Sequence, residues 1–143
     1  MTTTKLNPTT AKTLSPFISP SQTRVLKELM RGEEGEYFAG MLDKLAARVT
    51  AMPKTGETDA QGDKATVYLH YFFRGMDWYI TEKDMGDGSD DDGQHQAFGY
   101  ANLDDPDCAE FGYISLPELF TVNAELDLHW TPKALKDCEA YSA

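Results

Sequence analysis

Phe98-Gly-Tyr-Ala-Asn-Leu-Asp-Asp-Pro-Asp-Cys-Ala-Glu-Phe-Gly-Tyr-Ile-Ser-Leu-Pro-Glu-Leu119 sets two Phe-Gly-Tyr triplets on either side of an acidic turn. Both flanks, 98–103 and 111–116, are rich in β-formers. Between them, Asp104-Asp105-Pro106-Asp107 stops the ladder, because Pro donates no hydrogen bond and Asp readily caps a turn. A β-hairpin is predicted. Ser115-Leu-Pro-Glu118 is a capping-box pattern that opens a short helix directly after it, reaching about Phe120. Antiparallel pairing followed by a helix points to α+β architecture.

A second hairpin is predicted upstream. The stretch 66–73 (Thr-Val-Tyr-Leu-His-Tyr-Phe-Phe) and the stretch 77–81 (Asp-Trp-Tyr-Ile-Thr) flank Arg74-Gly75-Met76. Between the hairpins, 85–93 carries three Gly and four Asp, a composition that reads as a solvated loop. Downstream, Glu125-Leu-Asp-Leu-His-Trp130 alternates strictly and reads as a strand with Leu126, Leu128 and Trp130 on one face. Thr131-Pro132 is expected to open a last helix with Ala134, Leu135, Cys138 and Tyr141 inward.

The N-terminal third reads as helical. Tyr37, Phe38, Met41, Leu42, Leu45, Ala46, Val49 and Met52 keep helical spacing up to Pro53, and 54–63 is a polar loop. Ser19-Pro20-Ser21-Gln22 caps a shorter helix carrying Val25, Leu26, Leu29 and Met30, which stops at Gly32. Residues 1–18, rich in Thr, Ser and Pro, read as a loose arm. The expected order is ααββββαβα: a flexible arm at 1–18, then a single α+β domain over 19–143. Its antiparallel sheet of four to five strands packs against two or more helices.

Charge is the main global feature. The 143 residues carry a net charge of -11, and its distribution is uneven. Residues 1–31 hold five bases and one acid (+5 - 1 = +4), whereas 82–110 hold ten acids and Lys83 (-10 + 1 = -9). Such a field repels nucleic acid and attracts basic protein surfaces. No apolar run reaches the ~18 residues of a membrane span. The N-terminus lacks the apolar core of a signal peptide, and two cysteines make no disulfide framework, so a reduced cytoplasmic setting is expected.

Catalytic and metal motifs are missing from the sequence. Aligning Gly93 with position 6 of a calcium loop places Gly88 at position 1 and Gly99 at position 12, where oxygen ligands are needed. His70, His95 and His129 are scattered, and Cys108 and Cys138 lie thirty residues apart, so no zinc spacing exists. Ser115 reads as a helix cap, neither cysteine has an activating setting, and the paired carboxylates sit in solvated turns. His70 and His129 read as structural residues of strands. The aromatic run around 68–79 reads as core rather than a nucleic-acid stacking platform, which would need a basic groove. A non-enzymatic protein without cofactor or metal is the expectation.

From about Ala65 to Tyr141 the chain resembles the domain-of-unknown-function 2958 family of phages, plasmids and conjugative elements. The matching blocks are Trp78-Tyr-Ile-Thr-Glu82, Ala97-Phe-Gly-Tyr100, Glu110-Phe-Gly-Tyr-Ile-Ser-Leu-Pro-Glu-Leu119 and Asp127-Leu-His-Trp-Thr-Pro132. The resemblance implies an accessory protein of a mobile element acting inside bacteria, and it brings no established activity or catalytic residues to carry over. Together with the acidic field, it makes the expected function inhibition of a host nucleic-acid-targeting defence complex of the anti-CRISPR or anti-restriction kind. Asp84, Asp87, Asp90, Asp91 and Asp92 form the first expected contact patch with a basic nucleic-acid-binding protein of the bacterial host, and Asp104, Asp105 and Asp107 a second. Tyr100 and Tyr113 are the expected aromatic anchors. The alternatives are a protein-binding module for conjugation or replication of the element itself, and a metal-dependent enzyme. Direct nucleic-acid or membrane binding is not expected.

Overall fold

A computed structural model describes residues 6–58, 60–84, 95–105, 107 and 109–138. The protein is α+β, with helices, a five-stranded antiparallel sheet and a two-stranded sheet. The chain divides into two compact units, one ending at Ala51 and one beginning at Met52. Among the described residues, no helix is long and apolar enough to cross a membrane.

The first unit holds helices α1 (Pro8–Leu14), α2 (Pro20–Leu29) and α3 (Gly35–Ala51). Within the stretch 1–18, expected as a loose arm, the described residues 6–18 form helix α1 and a packed turn after it. Asn7 caps the helix, its side chain accepting from the Thr9 amide at 2.8 Å, and Pro8 occupies the first helical position. Leu14, Phe17 and Ile18 are buried, and the Thr10 hydroxyl donates to Asp43 of α3 at 2.7 Å. Ser19 caps α2 by accepting from the Gln22 amide, as its capping-box pattern implies. Leu26 of α2 and Met30, the residue that ends it, are buried, while Val25 and Leu29 stay exposed.

The second unit is built on the sheet. Its strands are β1 (Thr66–Val67), β2 (Leu69–Phe73), β3 (Met76–Lys83), β4 (Gln96–Leu103), β5 (Glu110–Ser115), β6 (Glu125–Leu126) and β7 (Lys133–Ala134). Helix α4 (Leu116–Thr121) follows β5, capped by Ser115, which accepts from the Glu118 amide at 3.3 Å. The main sheet runs β5-β4-β3-β2-β6, and β1 pairs with β7 separately. Both predicted hairpins are present. The first closes on the pair Phe73 and Met76 around a two-residue turn. Arg74 and Gly75 both have positive φ (46° and 81°), the backbone that matches a tight hairpin to strand twist.

One glycine in this sheet is dictated by a close approach. β3 is irregular between Ile80 and Glu82, and Gly99 lies opposite Ile80. A Cβ at Gly99 would stand 1.9 Å from the Tyr79 carbonyl oxygen, so no other residue fits that backbone.

The C-terminal region departs from expectation twice. The predicted strand over 125–130 ends after Leu126, because Asp127 accepts from the His129 amide at 3.0 Å and turns the chain. The predicted last helix is replaced by β7 and a 3-10 turn, Leu135–Asp137. Here sheet pairing captures the backbone: Ala134 lies opposite Thr66, and the Leu135 amide donates to the Ala65 carbonyl at 3.0 Å. Leu135 and Cys138 are nonetheless buried, with Val67, Tyr79 and Tyr100. Tyr141 lies outside the described residues.

Candidate protein-binding surface

Strand β5 is an edge of the main sheet, and alternation places Phe111 and Tyr113 on one of its faces. Their cross-strand partners are Tyr100 and Phe98 of β4. Phe98 stacks on Phe111 with centroids 6.2 Å apart and meets Tyr113 edge-on at 5.6 Å, while Tyr100 meets Phe111 edge-on at 5.6 Å. The four rings therefore hold one another in fixed orientations. Exposure is graded outward: Tyr100 is 4% exposed, Phe111 39% and Tyr113 66%. Tyr113, one of the two expected anchors, is open to solvent. Tyr100, the other, is not, since it packs with Val67, Tyr79, Leu135 and Cys138.

The turn joining β4 and β5 carries the second expected acidic patch. Asn102, buried, accepts from the Asp105 amide at 3.2 Å, and Asp105 accepts from the Asp107 amide at 3.1 Å. Asp104 takes a left-handed backbone with φ 65°. Asp104, Asp105, Asp107 and Glu110 are all exposed, and 95–115 contains no Lys or Arg. The turn thus presents four carboxylates at one end of the hairpin, with Leu103, itself 56% exposed, among them.

Asp84 is half-buried at the opposite end of β4, where it accepts from the Gln96 amide at 3.4 Å. Eight strand residues separate the two places, roughly 20–25 Å along the strand. The described part of the first patch and the turn acids are consequently distinct. Asp87, Asp90, Asp91 and Asp92 lie outside the described residues.

A polar cluster that the sequence reading did not assemble lies on the same sheet face. His70 Nε2 is 2.7 Å from Asp77 Oδ1, and His70 Nδ1 is 3.2 Å from Asp127 Oδ2. One ring thus bridges two carboxylates, one on β3 and one in the 127–130 turn. The ring stacks on Tyr79 with centroids 5.0 Å apart and lies 5.0 Å from Trp130, whose indole N–H donates to the Val67 carbonyl at 3.0 Å. Each ring nitrogen is engaged by a carboxylate. The cluster clamps the 127–130 turn to β2 and β3. Hairpin register contained the signal: with a two-residue turn at 74–75, His70 faces Tyr79 and has Asp77 as its diagonal neighbour. His129, expected in a strand, is exposed in the turn.

Glu82 is another group missed from sequence. It is 1% exposed, and its carboxylate accepts from the Gly56 amide at 2.9 Å, the Thr58 amide at 2.7 Å and the Thr58 hydroxyl. It organises the 54–58 loop rather than contributing to a negative surface. Among the described residues no group of three or more His, Cys, Asp or Glu is arranged to hold a metal ion. Burial pushes the Cys138 thiol up to about 11, away from the reactive thiolate. No family model, curated protein or solved structure matches the chain.

Proposed function

We propose that the protein is a non-enzymatic binding module whose β4–β5 hairpin engages a basic, nucleic-acid-binding protein and displaces nucleic acid from it. The observation that carries this reading is the exposure of Phe111 and Tyr113 on an edge strand next to Asp104, Asp105, Asp107 and Glu110. A rigid aromatic anchor supplies apolar contact at small entropic cost, and a rim of carboxylates selects Lys- and Arg-rich surfaces. Duplex DNA spaces its charges by ~1.7 Å of axis, and carboxylates on a hairpin reproduce part of that field for a groove built to hold phosphates. In the mobile-element setting implied by the resemblance at 65–141, the partner is a host nucleic-acid-targeting defence complex in the bacterial cytoplasm.

The test is capture from bacterial lysate by the wild type, by D104N/D105N/D107N and by Tyr113→Ala, followed by nucleic-acid binding of whatever is captured. A basic complex retained by the wild type only, released by salt and unable to bind nucleic acid while captured, is the expected result. A complex retained equally by all three proteins, or one still binding nucleic acid, would refute the reading.

A further inference from the structure

The helical unit contains a cavity of about 510 Å³ among α1, α2 and α3. Leu14, Ile18, Leu26, Met30 and Leu42 form its buried wall, and Leu6 lies half-buried at its side. None of the residues lining it is aromatic. Apolar cavities of this kind accept apolar ligands, and the volume falls within the ~300–1,000 Å³ range of small-molecule sites. A lining of Leu, Ile, Met, Ala and Pro without a flat ring suits an alkyl chain better than a planar ligand.

Charge at the rim defines the other end of the ligand. Arg24 and Lys27 both line the cavity and are exposed, three residues apart on one side of α2. Neither cation forms an ion pair among the described residues; the pairs His70 makes with Asp77 and Asp127 lie in the other unit. Both cations lie in the only stretch with a strong positive balance, +4 over 1–31, within a chain of net charge -11. Against the net negative charge of the chain, two exposed cations sit at this rim beside the apolar cavity.

We infer that the cavity binds a single-chain amphiphile with an anionic head, a medium-chain fatty carboxylate, with its tail among Leu14, Ile18, Leu26, Met30 and Leu42 and its carboxylate on Arg24 and Lys27. At roughly 30 Å³ per water-sized unit of volume, a tail of about twelve carbons fills most of the space. The site uses no residue of the β4–β5 hairpin and is independent of the function proposed above.

The full chain is titrated with dodecanoate below its micelle concentration, followed by calorimetry and amide and methyl NMR. Dodecanol and dodecyltrimethylammonium serve as the neutral and cationic arms. Saturable one-to-one binding of dodecanoate is expected, with methyl shifts at Leu14, Ile18, Leu26 and Met30 and weaker binding of the cationic amphiphile. The R24E/K27E variant changes only exposed residues, and it should lose about tenfold or more in affinity for dodecanoate with an unchanged spectrum. Ala11→Leu, which adds bulk to the cavity wall, should block all three ligands. Absence of saturable binding, equal affinity for the cationic amphiphile, shifts confined to the sheet unit, or unaltered affinity in R24E/K27E would each overturn the inference.

Discussion

Replacing Glu82 with Gln tests whether one buried carboxylate organises the loop before β1. The two side chains have nearly the same shape, so the change alters hydrogen bonding and charge but leaves no cavity. Glu82 accepts three hydrogen bonds, from Gly56 N, Thr58 N and the Thr58 hydroxyl, and is 1% exposed. Gln keeps one acceptor oxygen. If that oxygen faces Thr58, the amide NH₂ confronts the Gly56 N–H; if it faces Gly56, the NH₂ confronts the Thr58 N–H. Either way one donor is orphaned in a buried place. A hydrogen bond to a charged group contributes about 1.5–3 kcal/mol, and those that survive become neutral and roughly half as strong. Relief of carboxylate desolvation offsets part of this, leaving a destabilisation of about 3 kcal/mol. For a domain of this size that lowers Tm by on the order of 10 °C. Urea unfolding at neutral pH should show a lower midpoint with an unchanged slope, and the Gly56 and Thr58 amides should exchange faster in native conditions. A midpoint within about 0.5 kcal/mol of wild type, with both amides still protected, would refute the account of Glu82 as the organiser of 54–58.

Three further outcomes follow from the sheet. Gly99→Ala forces a Cβ to within 1.9 Å of the Tyr79 carbonyl oxygen, and the backbone there cannot yield as a flexible side chain could; a loss of about 3 kcal/mol or more in urea unfolding is expected. His70→Gln keeps a polar side chain but not the rigid ring that reaches Asp77 and Asp127 at once and stacks on Tyr79, so fluorescence and near-UV dichroism from Trp130 should change more than far-UV dichroism does. Identical aromatic spectra would argue against the clamp. For Cys138, burial raises the thiol to about 11 from an ordinary value of 9.0, so the folded state holds its proton where the unfolded state has lost it. That contribution is complete below the unfolded value and disappears as pH rises toward about 11, so stability should fall across this interval in a Cys108→Ser background and fall less when Cys138 is also replaced by Ala. Alkylation of the remaining thiol at pH 8 should be slow in the native protein and fast in urea.

Local signals explain why both hairpins and the capped helices were legible. Arg74, Gly75 and Asp104 fix turns through their positive φ, and Ser19 and Ser115 cap helices through contacts only three residues long. Asn7-Pro8 offers the same signal as Ser19-Pro20, and it was obscured by the polar composition around it. At the C-terminus, by contrast, Lys133–Ala134 forms a strand because Thr66–Val67, more than sixty residues earlier, offers it an edge. Nothing within a local window reveals that partner, and Pro132 with Ala134, Leu135 and Cys138 is a plausible helix start when read alone. The candidate site divides in the same way. The acids of the β4–β5 turn could be named from sequence, whereas their separation from Asp84 depends on the length and direction of β4. Tyr100 and Tyr113 occupy equivalent triplets, and the interior place of β4, with Val67, Tyr79, Leu135 and Cys138 packed around Tyr100, decides which is buried.

The two ends of the main sheet are managed differently, and that contrast bears on the proposed partner. β6 contributes only two residues, a short edge that gives another chain little to pair with. β5 is six residues long and carries Phe111 and Tyr113 in the open. An exposed aromatic edge of that length would ordinarily invite pairing between copies of the same chain. Here a second copy brings the same carboxylates, Asp104, Asp105, Asp107 and Glu110, and a net charge of -11, so the approach of two identical edges is opposed at long range. A basic strand or groove meets no such opposition. One set of charges therefore blunts self-association and selects a cationic partner, and neutralising it should affect both properties. D104N/D105N/D107N should bind a basic partner less tightly, and at high concentration in sedimentation equilibrium it should self-associate more than the wild type. If the variant weakens binding yet stays as monomeric as the wild type at low salt, the charges select the partner without guarding the edge. If it self-associates with binding unchanged, they guard the edge only, and the acidic rim has no part in recognition.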